Sequence, residues 1–91
     1  MTKSEFISTL AAATDMKKSD VERVIAAAAN TLTGVMRSGD SVNISGFGIF
    51  TSKVRDAHHG KNPATGEVIT VPAKRVAIFK PAKQLKDAVN S

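Results

Sequence analysis

At 91 residues and 9.6 kDa, the chain has room for one small domain and no second core. It contains no Cys, which excludes disulfides and thiolate metal sites, and no apolar run reaches the roughly 18 residues a membrane span needs. The net charge of +5 is lodged in residues 46–91, where eight Lys and Arg stand against three acids; residues 1–45 hold five of each. A neutral scaffold carrying a basic working surface is expected, rather than a generic soluble basic protein.

Hydrophobic residues make up 42%, yet 13 of the 38 are Ala, and large anchors are scarce: four Phe, three Leu, no Trp and no Tyr. So thin an apolar set buries little within one chain, and self-association is expected. The opening Met1-Thr2-Lys3-Ser4-Glu5 lacks the apolar stretch of a signal peptide, so a soluble intracellular protein is expected.

Thr2-Lys3-Ser4-Glu5 has capping-box spacing, and Phe6, Ile7, Leu10, Ala11 and Ala13 follow at helical spacing, predicting a helix over about 3–13. Residues 14–18 read as a connector. Ser19-Asp20-Val21-Glu22 is a second capping box. Val21, Val24, Ile25, Ala28, Leu32, Val35 and Met36 then mark one buried face of a longer helix that Gly39 ends. At residue 41 the period changes to two: Val42 and Ile44 alternate with polar neighbours as a half-buried strand does. Gly46-Phe47-Gly48 predicts a tight turn, and Ile49 to about Arg55 a second strand.

Residues 56–66 contain no large apolar side chain, and Asn62-Pro63-Ala64-Thr65-Gly66 is a run of turn formers that marks a hairpin tip. Glu67 to Val71 has strand propensity, with Pro72 tolerated only at an edge or bulge. A long β-ribbon without a core is expected, lying on something other than its own protein. Val76-Ala77-Ile78-Phe79 predicts a third strand, and Pro81 opens a last short helix with Leu85, Ala88 and Val89 on its buried face.

This layout, together with Gly46-Phe47-Gly48-Ile49-Phe50, Arg55, Gly60-Lys61-Asn62-Pro63-Ala64-Thr65-Gly66 and Phe79-Lys80-Pro81 leading to Leu85-Lys86-Asp87-Ala88-Val89, resembles the bacterial HU/integration-host-factor family of histone-like DNA-bending proteins. The resemblance runs end to end and is nearer to HU, because extra tails are absent. His58 stands where the family carries Arg or a small hydroxyl residue, and Ala82 where it often has Gly. The resemblance implies an α+β fold: two N-terminal helices, a three-stranded antiparallel sheet with a ribbon arm, a short C-terminal helix, and an intertwined dimer. Residues 1–91 form one DNA-binding domain on this reading. Residues 1–45 supply the helical base and first strand, 46–82 the saddle strands with an arm over about 55–75, and 83–91 the last helix.

Lys53, Arg55, Lys61, Lys74, Arg75, Lys80, Lys83 and Lys86, with Lys3 at the first helix, are the candidate phosphate-neutralising cations, against the alternative of a solvated face. Gly46 and Gly48 allow backbone N–H groups to approach a phosphate beside their role in the turn. Asn62 and Pro63 stand at the tip, where Pro63 is either an ordinary turn residue or an apolar wedge between base steps. His58 and His59 are strand neighbours, point to opposite faces and cannot chelate one metal together; His58 is a candidate DNA contact. Leu32, Ile44, Phe47, Phe50 and Phe79 are read as dimer core rather than base-stacking platforms.

The expected function is bending and compaction of double-stranded DNA with little sequence specificity, by a homodimer with arms in the minor groove. The place is the bacterial cytoplasm, on the nucleoid. Alternatives are a sequence-specific architectural factor, including a heterodimer with a paralogue, and an RNA-binding structural protein. No catalysis, cofactor, metal, membrane or small-molecule substrate is expected.

Overall fold

The computed structural model describes all 91 residues. In chain order the elements are α1 (Lys3–Thr14), α2 (Lys18–Arg37), β1 (Val42–Ile44), β2 (Gly48–Arg55), β3 (His58–Lys61), β4 (Val68–Val71), β5 (Lys74–Pro81) and α3 (Lys83–Val89). No helix is long and apolar enough to cross a membrane. Contacts divide the chain into two compact units, Met1–Thr33 and Gly34–Ser91, the division falling within α2.

In the first unit, Thr2 caps α1 by accepting the Glu5 N–H at 3.2 Å, and its hydroxyl lies 3.3 Å from the Glu5 carboxylate. The box thus closes between side chains, not through the Thr2 backbone. Asp15 ends the helix in the left-handed region (φ 56°), a conformation Asp tolerates better than most residues. The second capping box does not form. The Lys17 carbonyl accepts the Asp20 and Val21 amides, α2 begins at Lys18, and Ser19 lies inside the first turn without a capping bond. Ile7, Ala11 and Val21 are buried, with Leu10 and Ile25 packed against them. Val24, expected on the buried face, is 58% exposed.

The second unit begins with the end of α2. The Gly39 amide donates to the Met36 carbonyl and the Asp40 amide to Val35, both at 3.1 Å, with Gly39 at φ +85°. This is a Schellman closure, the stop the sequence places at Gly39. β1, β2 and β5 form an antiparallel sheet in the order β1-β2-β5. Gly46 (φ +80°) occupies the third position of the β1–β2 turn, where the Phe47 amide donates to Ile44 at 2.9 Å.

Gly48 needs glycine for a different reason. A β-carbon there would sit 2.5 Å from the Phe79 ring and 2.7 Å from the Lys80 carbonyl oxygen. That missing side chain lets Phe47, Phe50 and Phe79 converge, with ring centroids 4.8–6.2 Å apart. Pro81 closes β5 instead of opening the last helix; Ala82 is the N-cap of α3 and donates its amide to the Phe47 carbonyl at 2.9 Å. Of the expected buried face of α3, only Leu85 is partly covered within one chain.

β3 and β4 make a separate two-stranded ladder. The ribbon is broken at residues 56–57 on one strand and 72–73 on the other, because Pro72 has no N–H to give to a ladder.

Gly48→Ala is expected to destabilise the protein by about 1–3 kcal/mol through overpacking against Phe79. Gly34→Ala, in α2 with open space around it, should stabilise by about 1 kcal/mol through helix propensity. Denaturant unfolding at one fixed protein concentration measures both.

Candidate nucleic-acid interface

The β2–β5 ladder pairs Phe50 with Phe79, Ser52 with Ala77 and Val54 with Arg75, and between them Lys53 with Val76 and Arg55 with Lys74. Successive strand residues point to opposite faces. One face therefore carries Phe50, Ser52, Val54, Arg75, Ala77 and Phe79. The other carries Lys53, Arg55, Lys74 and Lys80, among Ile49, Thr51, Val76 and Ile78. Four cations share one face of the sheet with no acid on it.

None of these cations is neutralised within the chain, whose one salt bridge joins Arg23 to Asp20 at 3.8 Å on α2. Lys80 also borders a shallow hollow with Gly46, Gly48, Asn43 and Gln84, so the glycine turn and this cation lie together. Asn43 and Gln84 escaped the sequence reading. Asn43 was within reach of it, since its parity opposes that of Val42 and Ile44 and it pairs with Ile49 on the cationic face.

Arg75 is not with the other four. Its guanidinium lies on the aromatic face and donates to the Ser52 hydroxyl at 3.1 Å. Lys83 and Lys86 are one turn apart on α3, both exposed. Lys3 belongs to the first unit, where it lines a hollow with Ser4, Ile7, Ser8, Lys18 and Glu22. Lys18, read from sequence as part of a connector, is thus a neighbour of Lys3.

On the ribbon, His58 and Gly60 share a face with Ile69 and Val71, while His59 and Lys61 share the other with Val68 and Thr70. The two histidines thus lie on opposite faces of the ribbon. The His58 Nδ1 lies 3.4 Å from the Asp56 carbonyl oxygen. Val68 is 66% exposed, and the ribbon has no buried side chain.

The tip is closed by local hydrogen bonds. Asn62 and Glu67 close it with a 2.8 Å bond, the Asn62 side chain accepts the Ala64 amide at 2.9 Å, and Gly66 (φ +73°) donates to the Asn62 carbonyl at 2.7 Å. The Asx turn at Asn62 holds Pro63 outward at the extremity, exposed.

Residues 1–90 match the family model described as bacterial DNA-binding protein. The chain belongs to this family. It is 41% identical to DNA-binding protein HU-1 of Halalkalibacterium halodurans, over 99% of this chain and 100% of that one. It is 44% identical to HU-beta of Pseudomonas aeruginosa, again over 99% of this chain and all of the relative. Its fold superposes on HU of Anabaena in a cocrystal with DNA, with a TM-score of 0.88, 36% identity, and 98% and 97% of the two chains covered. HU of Thermotoga maritima follows the same path with a TM-score of 0.68, 28% identity and 98% of each chain covered. Membership in the HU family makes this a DNA-binding protein and not an enzyme, and the helix-and-antiparallel-sheet fold expected from sequence is the one observed.

Proposed function

We propose that this HU-family protein bends and compacts double-stranded DNA with little regard to sequence, as a homodimer on the bacterial nucleoid. The observation that carries this reading is the one-sided placement of Lys53, Arg55, Lys74 and Lys80, unpaired with any acid. Cations arrayed on a sheet face neutralise phosphates and release counterions, which gives affinity without base information. Lys83, Lys86 and Lys3 extend the phosphate contacts, and the Gly46–Gly48 turn lets backbone approach beside Lys80.

The ribbon supplies the bending. Its coreless, exposed strands lie along the minor groove, with Arg55, His58 and Lys61 as the arm's charged and polar contacts and Asn62 shaping the tip. Architectural proteins of this class insert apolar wedges between base steps and kink the duplex, and that role comes to Pro63 by family likeness. A rigid ring without an N–H loses little entropy on insertion. No cofactor, metal or small-molecule substrate enters this reading.

Dimerisation follows from what one chain leaves open. Phe47 and Phe79, at the centre of the only aromatic cluster, are 42% and 40% exposed, and Ile44 beside them is 43% exposed. A second copy covering these residues, with Leu32 and Phe50, completes a core that a single chain does not close. On this reading residues 1–91 act as one module of the dimer.

Four outcomes test the proposal. Sedimentation should give a dimer at micromolar concentration; a folded monomer would remove the basis for the shared aromatic core. The plot of log affinity against log salt should be steep on random duplex, and Lys53→Ala, which removes one cation from each protomer, should lower its slope by about 1.8 per dimer. A nicked duplex should compete better than double-stranded RNA, whose deep major groove and shallow minor groove fit the arms poorly; a strong preference for one short DNA sequence or for RNA overturns the reading. Pro63→Ala should reduce the bend, read by energy transfer between duplex ends, more than it reduces affinity.

A further inference from the structure

We infer that Arg75 is a positioning residue that clasps the root of the arm to the end of α2, and not one of the phosphate-binding cations. The Ser52 hydroxyl has one proton, and it goes to the Met36 carbonyl at 2.6 Å. Ser52 Oγ is therefore the acceptor for the Arg75 N–H at 3.1 Å. The result is a directed chain from guanidinium to hydroxyl to carbonyl, in which each bond polarises the next.

The terminal acceptor is well suited to it. Met36 lies in the last turn of α2, whose carbonyls have no amide ahead of them in the helix. The Gly39 amide satisfies one lone pair of Met36 and Ser52 the other. The guanidinium also lies over Gly39, where a β-carbon would stand 3.5 Å from its nearest nitrogen. A cation at that place meets the negative end of the helix dipole, and no acid competes for it within the chain.

Position along the chain gives the clasp its consequence. Arg75 is the second residue of β5, directly after the break at residues 72–73 where the ribbon leaves the sheet. Ser52 lies on β2, three residues before the matching end of that strand at Arg55. The clasp therefore fixes both strands at the arm's root against the helix end, so that the ribbon leaves the sheet in one direction. This role rests on the DNA-bending reading above, but the clasp itself does not.

The test compares Arg75→Ala, Ser52→Ala and the double variant, with Lys53→Ala as the phosphate-contact control. In DNA-free protein at fixed concentration, each single variant should lower Tm by about 4 °C, and the double should fall by clearly less than the sum of the two, because the bond between Arg75 and Ser52 is lost in all three. Arg75→Ala should leave the salt slope of DNA binding unchanged, whereas Lys53→Ala lowers it by about 1.8 per dimer. At saturating protein, the DNA bend should be smaller for both single variants and no smaller for the double. Additive Tm losses overturn the clasp. A slope loss in Arg75→Ala returns it to the phosphate contacts, and an unchanged bend removes its positioning role. If Lys53→Ala leaves the slope unchanged, the cationic-face reading fails, while the Tm cycle still decides the clasp.

Discussion

The pairing of Phe50 with Phe79 across β2 and β5 sets the register on which the rest of the second unit depends. Because side chains alternate, one aligned pair decides the face of every other residue on both strands. Aromatic rings gather on one side, and Lys53, Arg55, Lys74 and Lys80 are left together on the other. A slip of β5 by one residue would move Lys74 and Lys80 to the aromatic side and take the Phe79 ring away from Phe47 and Phe50. Clustering of the rings on one face thus enforces the position of the charges on the other.

Glycine makes that register compatible with close packing. Gly48 leaves space for the Phe79 ring against β2, and Gly46 turns the chain so that Phe47 joins the other two rings. The Phe47 carbonyl then accepts the Ala82 amide and fixes where α3 starts. Turn, aromatic cluster and last helix are consequently one construction. Its open side, with two rings exposed, is what the proposed dimer would close.

The arm obeys different rules. It has no core, its ladder is broken at residues 72–73, and only its tip is held tightly, by the Asn62 turn and by Gly66. Order at the tip and an interrupted base suit a ribbon that presents a fixed end while following a curved surface. The chain from Arg75 through Ser52 to Met36 ties down the sheet side of that break.

Much of this was legible in the sequence because it depends on local chemistry. Helical spacing after Thr2, the stop at Gly39, the change to period two at Val42 and the turn formers at 62–66 each act over a few residues, and each element appears where it was read. Local rules misplaced the start of α2, where the Lys17 carbonyl begins the ladder before Ser19 can cap it, and the role of Pro81, which the β2 pairing keeps in a strand. They also grouped Lys74 with Arg75, although strand neighbours must part to opposite faces. Which of the two joined Lys53 and Arg55 depended on the register of β2 against β5, and the partner of Arg75 depended on where α2 ended. Those are contacts between residues 16 and 23 positions apart. Spacing along the chain fixes which residues share an element; only the packing of one element on another decides what each side chain meets.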